Sequence, residues 1–161
     1  PPNSKMLAGG AAVHVFGLAS SAAAAGSPAG DRHAALAALA ATPGAVGAAS
    51  LHLHDLPEQA GHVALAPVLA RLAELGCNEV HLEAGARLNA AFIAADLVDE
   101  YLCYLAPKLI GPGRPLAELP TLPDLAQAPT LVFHDVQPVG PDLRILARPA
   151  GRLLDRTRAK P

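Results

Sequence analysis

A chain of 161 residues can bury the core of one domain and is too short for two. Hydrophobic residues make up 52% of it and charged residues 16%, a composition that excludes a disordered charged tail. The net charge of -2 and the aromatic content of 3% argue against nucleic acid and against an anionic membrane surface as partners.

The first third of the chain predicts a strand followed by a helix. Residues 11–16 form a short apolar run that suits a buried strand, and residues 20–30 read as a loop of small residues. Asp31 can cap a helix that extends to residue 41, with Leu36 and Leu39 facing the core. The Thr-Pro-Gly sequence at 42–44 ends this helix, and residues 46–53 predict a weak strand.

The middle of the chain continues the alternation. Four apolar residues recur at helical period: Leu65, Val68, Leu69 and Leu72. Gly76 is placed to end that helix, residues 79–82 predict a buried strand, and residues 86–95 predict another helix. Its expected inward side chains are Leu88, Ala91, Phe92 and Ala95. Alternating strands and helices are typical of a parallel α/β sheet.

The last third predicts further strands. Residues 99–106 suit a strand that Pro107 stops, and the proline-rich segment 111–127 suits irregular structure. Residues 130–136 and 142–148 predict two strands, whose short link favours an antiparallel pair. The basic tail from Pro149 is expected to be frayed.

Cysteines and the start of the chain bear on its cellular setting. Cys77 and Cys103 are sparse and lie in apolar context, so we expect two buried free thiols in a reducing, cytoplasmic compartment. No apolar run could span a bilayer without interruption by Pro, Gly or a polar residue. Because the chain begins without an initiator Met, we expect it to be a piece of a longer protein.

Residues 78–89 are the strongest candidate for a binding site. Glu83 ends the predicted strand, and open α/β sheets bind ligands at the carboxyl ends of their strands. Gly85 has no Cβ, and the amides that follow it at a helix start can hold a phosphate. The alternative is a tight strand-to-helix turn with a solvated glutamate, which the spacing alone favours.

The histidines raise the question of a metal site. His52, His54 and Asp55 are close in sequence, and His62 follows soon after. No cluster of Cys or carboxylate residues completes a set with recognisable spacing, so structural or surface histidines are favoured and no metal is expected. Cys103 has no evident His partner, so we expect no thiol nucleophile. We name no general acid.

Three segments together resemble the reductase domain of the bacterial bifunctional riboflavin-biosynthesis deaminase/reductase, the RibD or RibG proteins. They are residues 81–88, 95–100 and 104–111, whose order and spacing match that domain. Residues 1–7 are similar to a middle segment of the domain, and residues 142–146 to its last strand. Ala84 stands where many relatives have Gly, and the small residue is not expected to impair the site.

The resemblance implies a dihydrofolate-reductase-like three-layer α/β fold with a mainly parallel central sheet and a C-terminal antiparallel hairpin. It implies NADPH-dependent reduction of 5-amino-6-(5-phosphoribosylamino)uracil, with Glu83 contacting this small-molecule substrate. The residues it implies for the cofactor are Gly85, Ala86, Arg87, Leu88, Asn89, Ala90 and Ala91. Residues 1–148 would be the C-terminal portion of the reductase domain, and 149–161 a tail.

The resemblance also leaves parts of the family pattern unaccounted for. No zinc deaminase motif is present, and the first strands of the reductase domain are expected to precede Pro1. We therefore expect the isolated chain to bind NADPH weakly or not at all. The resemblance implies a homo-oligomer, and we expect residues 99–106 and the proline-rich loop after them to form a dimer surface. The alternatives are another dihydrofolate-reductase-like NADPH reductase, or a non-catalytic binding or dimerisation module.

Overall fold

The computed structural model describes residues 5, 10–20, 26–42 and 50–152. The chain divides into two compact units, Pro1–Val80 and His81–Pro161. Most of the tail predicted from Pro149, and the first residues of the weak strand predicted at 46–53, lie outside the described residues. No helix in the described ranges is long and apolar enough to cross a membrane.

A parallel pair of strands forms the core of the first unit. β1 (Val13–Leu18) pairs in parallel with β2 (Leu51–Leu56), with Val13 opposite Leu51. Both sequences alternate, so Val13 and Leu51 share one face while histidines occupy the other. Val13 and Leu51 are buried, and the partly buried residues packed against them are Val15, Leu36 and Leu39. The prediction that Leu36 and Leu39 face the core is confirmed.

The first helix begins earlier than predicted. α1 spans Pro28–Ala41, and its N-cap is Ser27, whose Oγ accepts a 3.0 Å hydrogen bond from the amide of Gly30. The prediction that Asp31 caps the helix was wrong, because Pro28 suits the first helical position and Ser27 supplies the cap one residue before it. Asp31 lies in the first turn, where its charge complements the helix dipole. Thr42 ends the helix, as predicted.

The second helix ends at a glycine, as the sequence predicts. β3 (Glu58–Gln59) and β4 (His62–Val63) form a small antiparallel pair, and α2 (Leu65–Glu74) follows. Gly76 has a φ of 87°. Its amide donates to the carbonyl of Ala73, and the amide of Cys77 donates to the carbonyl of Leu72. These two bonds are those of a Schellman motif, which favours glycine at this position. Cys77 is exposed and Cys103 is half-buried, so the prediction that both thiols are buried was wrong.

The strand predicted at residues 79–82 is absent. Residues 79–85 have no regular secondary structure, and no strand in the described part of the chain pairs with them. Val80 and Leu82, predicted to be buried, are exposed. A strand exists only with a hydrogen-bonded neighbour, and an apolar alternation alone does not supply one.

The described part of the second unit contains one α-helix and a three-stranded sheet. α3 spans Ala86–Ala94 and buries Phe92, which is 7% exposed. The other predicted inward residues, Leu88, Ala91 and Ala95, are exposed, so that part of the prediction was wrong. The short alanine side chains add little to the apolar face, and Phe92 is the buried residue of the helix.

The sheet places β7 (Asp142–Pro149) between β5 (Tyr101–Leu105) and β6 (Leu131–Val139), and both pairings are antiparallel. Gly140 and Pro141 form a two-residue turn, and the φ of 60° at Gly140 suits the first position of a type II′ turn. The predicted antiparallel pair is confirmed, as is the irregular proline-rich segment before it, which contains one 3-10 turn at Leu125–Gln127.

The two faces of this sheet differ in polarity. Residues directly opposite each other point to the same side, so the register defines each face. One face carries Arg144, which bonds Asp135 at 2.7 Å, and Arg148, which bonds Glu100. The opposite face is apolar: Tyr101, Cys103, Leu105, Leu131, Phe133, Val136, Pro138, Leu143, Ile145, Ala147 and Pro149. Ala147 at its centre is 3% exposed, whereas Phe133 and Leu105 are 69% and 58% exposed.

Candidate functional site

The start of α3 presents backbone donors that the helix itself does not use. Gly85 is the N-cap, with φ of -78° and ψ of 165°, and no side chain caps the helix. The first intrahelical bond runs from the amide of Asn89 to the carbonyl of Gly85, at 3.1 Å. The amides of Ala86, Arg87 and Leu88 therefore have no acceptor within the helix, and they point out of its positive end.

Space in front of Gly85 allows a ligand to approach these amides. A Cβ built on Gly85 would meet no atom within 4 Å. The φ of this residue is one that any amino acid adopts, so backbone strain does not require glycine here. An open approach and a lack of side-chain capping are the properties that suit a helix start to a phosphate group.

Glu83 lies two residues before the helix and reaches solvent. Its side chain is 85% exposed, and its Oε1 is 3.6 Å from Nε2 of His81, which is also exposed. An exposed carboxylate with one loose neighbour keeps acceptor capacity for hydroxyl or amine donors of a bound molecule. The prediction that Glu83 ends a strand was wrong, because residues 79–85 form no strand. Glu83 does precede the helix, as the sequence pattern requires.

A hydrogen-bonded clasp fixes a remote segment on the first turn of α3. Nδ2 of Asn89 donates to the carbonyl of Leu116 at 2.9 Å, and the amide of Glu118 donates to the carbonyl of Ala86 at 3.0 Å. Residues 116–118 of the proline-rich segment thus lie along the helix start. Sequence reasoning missed this clasp because it joins residues 27 apart and has no local signal.

The histidines considered for a metal site, His52, His54 and His62, lie in the first unit. His52 and His54 share a face of β2, as their spacing predicts, whereas Asp55 binds Nε2 of His33 from α1 at 2.8 Å. His62 lies on β4. Within the described ranges, no three His, Cys, Asp or Glu side chains are grouped so that they could hold a metal ion.

Comparison with known proteins identifies the family. The pattern of the RibD C-terminal domain matches residues 32–145, which is well over half of the chain. The chain belongs to the RibD C-terminal domain family. The match includes Glu83 and all of α3, so the candidate site lies inside the family domain.

The matches to individual relatives cover only part of each relative's length. Riboflavin biosynthesis protein RibD of Escherichia coli (strain K12) is 42% identical over 89 residues, 55% of this chain and 24% of that protein. A 5-amino-6-(5-phosphoribosylamino)uracil reductase of Buchnera aphidicola (subsp. Acyrthosiphon pisum) is 29% identical over 83 residues, 51% of this chain and 40% of that protein. The chain thus spans less than half the length of either protein.

Solved structures of the same family share the fold. Acinetobacter baumannii RibD, form 2, matches with a TM-score of 0.53 and 28% sequence identity, over 63% of this chain and 27% of that one. Form 1 of that protein gives a TM-score of 0.52. These matches confirm the predicted dihydrofolate-reductase-like α/β fold of this RibD-type domain.

The predicted cofactor residues of this RibD-type domain fall into two groups. Gly85, Ala86, Arg87 and Leu88 carry the open end of the helix. Asn89 has its side chain committed to the clasp, and Ala90 and Ala91 lie in the next turn, where amides bond within the helix. The geometry therefore gives the first group the means to contact a phosphate, and it gives Asn89 a positioning role.

We predict that Asn89→Ala loosens residues 116–118 without unfolding α3. Loss of one hydrogen bond of about 0.5 to 1.5 kcal/mol would speed amide exchange at Glu118 by roughly 2- to 12-fold. Hydrogen exchange followed by NMR on the 161-residue chain measures this, with the exposed Asn78→Ala as the matched control. Unchanged exchange at Glu118, or equal acceleration by both variants, would contradict the clasp.

Proposed function

We propose that this domain takes part in the NADPH-dependent reduction of 5-amino-6-(5-phosphoribosylamino)uracil to its ribitylamino product in riboflavin biosynthesis. The observation that carries the proposal is an uncapped helix start with open space at Gly85, inside a domain of the RibD C-terminal family. A relative in Buchnera aphidicola bears the name of this reductase. The cytoplasm is the proposed location, because Cys77 and Cys103 are free thiols. Fractionation of cells would test the location.

The cofactor's phosphates are assigned to the start of α3. The donors are the amides of Ala86, Arg87 and Leu88, which lie at the positive end of the helix dipole. Gly85 leaves room for the approach. The clasp from Asn89 to Leu116 keeps the proline-rich segment beside this helix start, so the site is bordered on that side. When bound, NADPH would supply the hydride that opens the ribose of the substrate.

Glu83 is assigned to the substrate. Its exposed carboxylate can accept hydrogen bonds from ribose hydroxyls or from the pyrimidine amine. Those bonds would orient the sugar, because hydrogen bonds to a charged acceptor are stronger than those to a neutral one. Proximity of Glu83 to the amides after Gly85 would thus place substrate and cofactor contacts on one short segment of chain.

A homodimer is proposed through the apolar face of the sheet β5–β7–β6, defined above. Phe133 and Leu105 are both well exposed on this face, which has no charged member. An exposed apolar face of this kind marks an interaction site in most proteins. β5 belongs to the surface that the sequence predicts for dimerisation.

We predict that Glu83→Gln lowers kcat/KM of the full-length protein by about 10- to 100-fold, because a charged hydrogen bond contributes about 1.5 to 3 kcal/mol. Steady-state assays with NADPH and the phosphoribosylaminouracil measure this. Glu79→Gln, an exposed glutamate four residues earlier, is the control and should retain activity. Full activity of Glu83→Gln, or equal loss in both variants, would argue for a structural role.

For the dimer, sedimentation of the full-length protein is the direct measurement. Leu105→Lys places a charge in the apolar face and should shift the protein from dimer to monomer with an unchanged circular dichroism spectrum. Ala70→Lys, at an exposed position on α2, should leave the dimer intact. A monomeric wild type, or a Leu105→Lys protein that remains dimeric or loses its fold, would contradict this interface.

A further inference from the structure

A chain of hydrogen bonds crosses the histidine face of the β1–β2 pair. Nε of Arg71, on α2, donates to Nδ1 of His54 at 3.2 Å, and Nε2 of His54 lies 2.8 Å from Nδ1 of His14. His14 also stacks on His52, with ring centroids 4.7 Å apart, and Phe16 stacks on His54 at 4.9 Å. All of these residues belong to the first unit, and none takes part in the proposed reductase site.

The donors and acceptors available in this series of hydrogen bonds fix the protonation of its two imidazoles. The guanidinium of Arg71 can only donate, so Nδ1 of His54 must present its lone pair. A neutral His54 then carries its proton on Nε2 and donates it to Nδ1 of His14. Both imidazoles are therefore neutral, and each accepts one hydrogen bond at Nδ1.

An added proton breaks one of these bonds wherever it binds. On Nδ1 of His54 it would face the donor of Arg71, and on Nδ1 of His14 it would face the donor of His54. In both cases two donors would meet, and the new charge would lie close to another cation or a stacked imidazole. No singly protonated state of the pair keeps both hydrogen bonds.

The charged and titratable surroundings reinforce this conflict. His14 faces His54 from β1, and His52 lies on β2 with His54. Arg71 approaches from α2, where its Nη1 donates to the carboxylate of Glu74 at 2.8 Å. The carboxylate of Asp55 is engaged by His33. Burial first, then the charge of Arg71, then His14 and His52, lower the pKa of His54 below its ordinary value of 6.5.

We propose that the Arg71–His54–His14 chain is an acid-sensitive link, which ties α2 to the β1–β2 pair only while both imidazoles are neutral. The link ties elements of the first unit together while His54 is neutral and releases them as acid protonates His54. The link responds to proton binding and is independent of the reductase function.

The sign of the effect follows from the lowered pKa. The folded chain binds a proton at His54 less readily than the unfolded chain does, so acid favours unfolding. The stabilisation is fully present above pH 6.5 and is lost as the pH falls through the lowered pKa of His54. Between these limits, one extra proton on unfolding changes the unfolding constant by up to about tenfold per pH unit.

Unfolding of the 161-residue chain by urea at a series of pH values from about 8 to 5, with a chelator present, tests the link. The wild type should lose stability on acidification more steeply than His54→Gln. His62→Gln, an exposed histidine of the same unit, should keep the wild-type slope. Equal slopes in wild type and His54→Gln, or a flattened slope in His62→Gln, would overturn the proposal.

Two NMR measurements keep the test decisive if His54→Gln fails to fold. In the wild type near pH 8, the neutral imidazole of His54 should carry its proton on Nε2, and a proton on Nδ1 would overturn the proposal. In Arg71→Met, which removes the cation and the donor, the pKa of His54 should rise towards 6.5. An unchanged or lower pKa of His54 would also overturn it.

Discussion

Unused backbone amides at the start of α3 are the constraint on which the candidate site depends. A helix cannot satisfy its own first amides, and a side chain at the N-cap usually does so. The α-helix starts in the described residues differ in that respect. Ser27 caps α1 through a bond to the amide of Gly30, whereas neither Ala64 before α2 nor Gly85 before α3 supplies a side-chain cap. A capped start stabilises its helix, and an uncapped start that faces open space keeps its donors for a ligand.

Local sequence patterns were sufficient where the structure depends on local contacts. A short apolar run at residues 11–16 predicted a strand that the structure places at Val13–Leu18, and helical period placed α2. Gly76 marked the end of α2 because its left-handed conformation is costly for other residues. Glycine and proline likewise marked the turn between β6 and β7. In each case the deciding residues lie within a few positions of one another.

The sequence was a poorer guide where a structure depends on a distant partner. Residues 79–82 alternate like a strand, but a strand also requires a neighbour, which no local pattern reveals. The clasp from Asn89 to Leu116 spans 27 positions, and the bond from His14 to His54 spans 40. The cap of α1 is a local error of a different kind, since both Ser27 and Asp31 are good capping residues and Pro28 decides between them.

Amide hydrogen exchange of the full-length protein, with and without saturating NADPH, tests the central assignment most directly. The cofactor should protect the peptide that spans residues 85–91, because its phosphates would occupy the amides after Gly85. The peptide that spans α1, whose first turn is already capped by Ser27, is the internal control and should not change. Saturation with NADPH that leaves residues 85–91 unprotected would contradict the assignment of the cofactor to the start of α3.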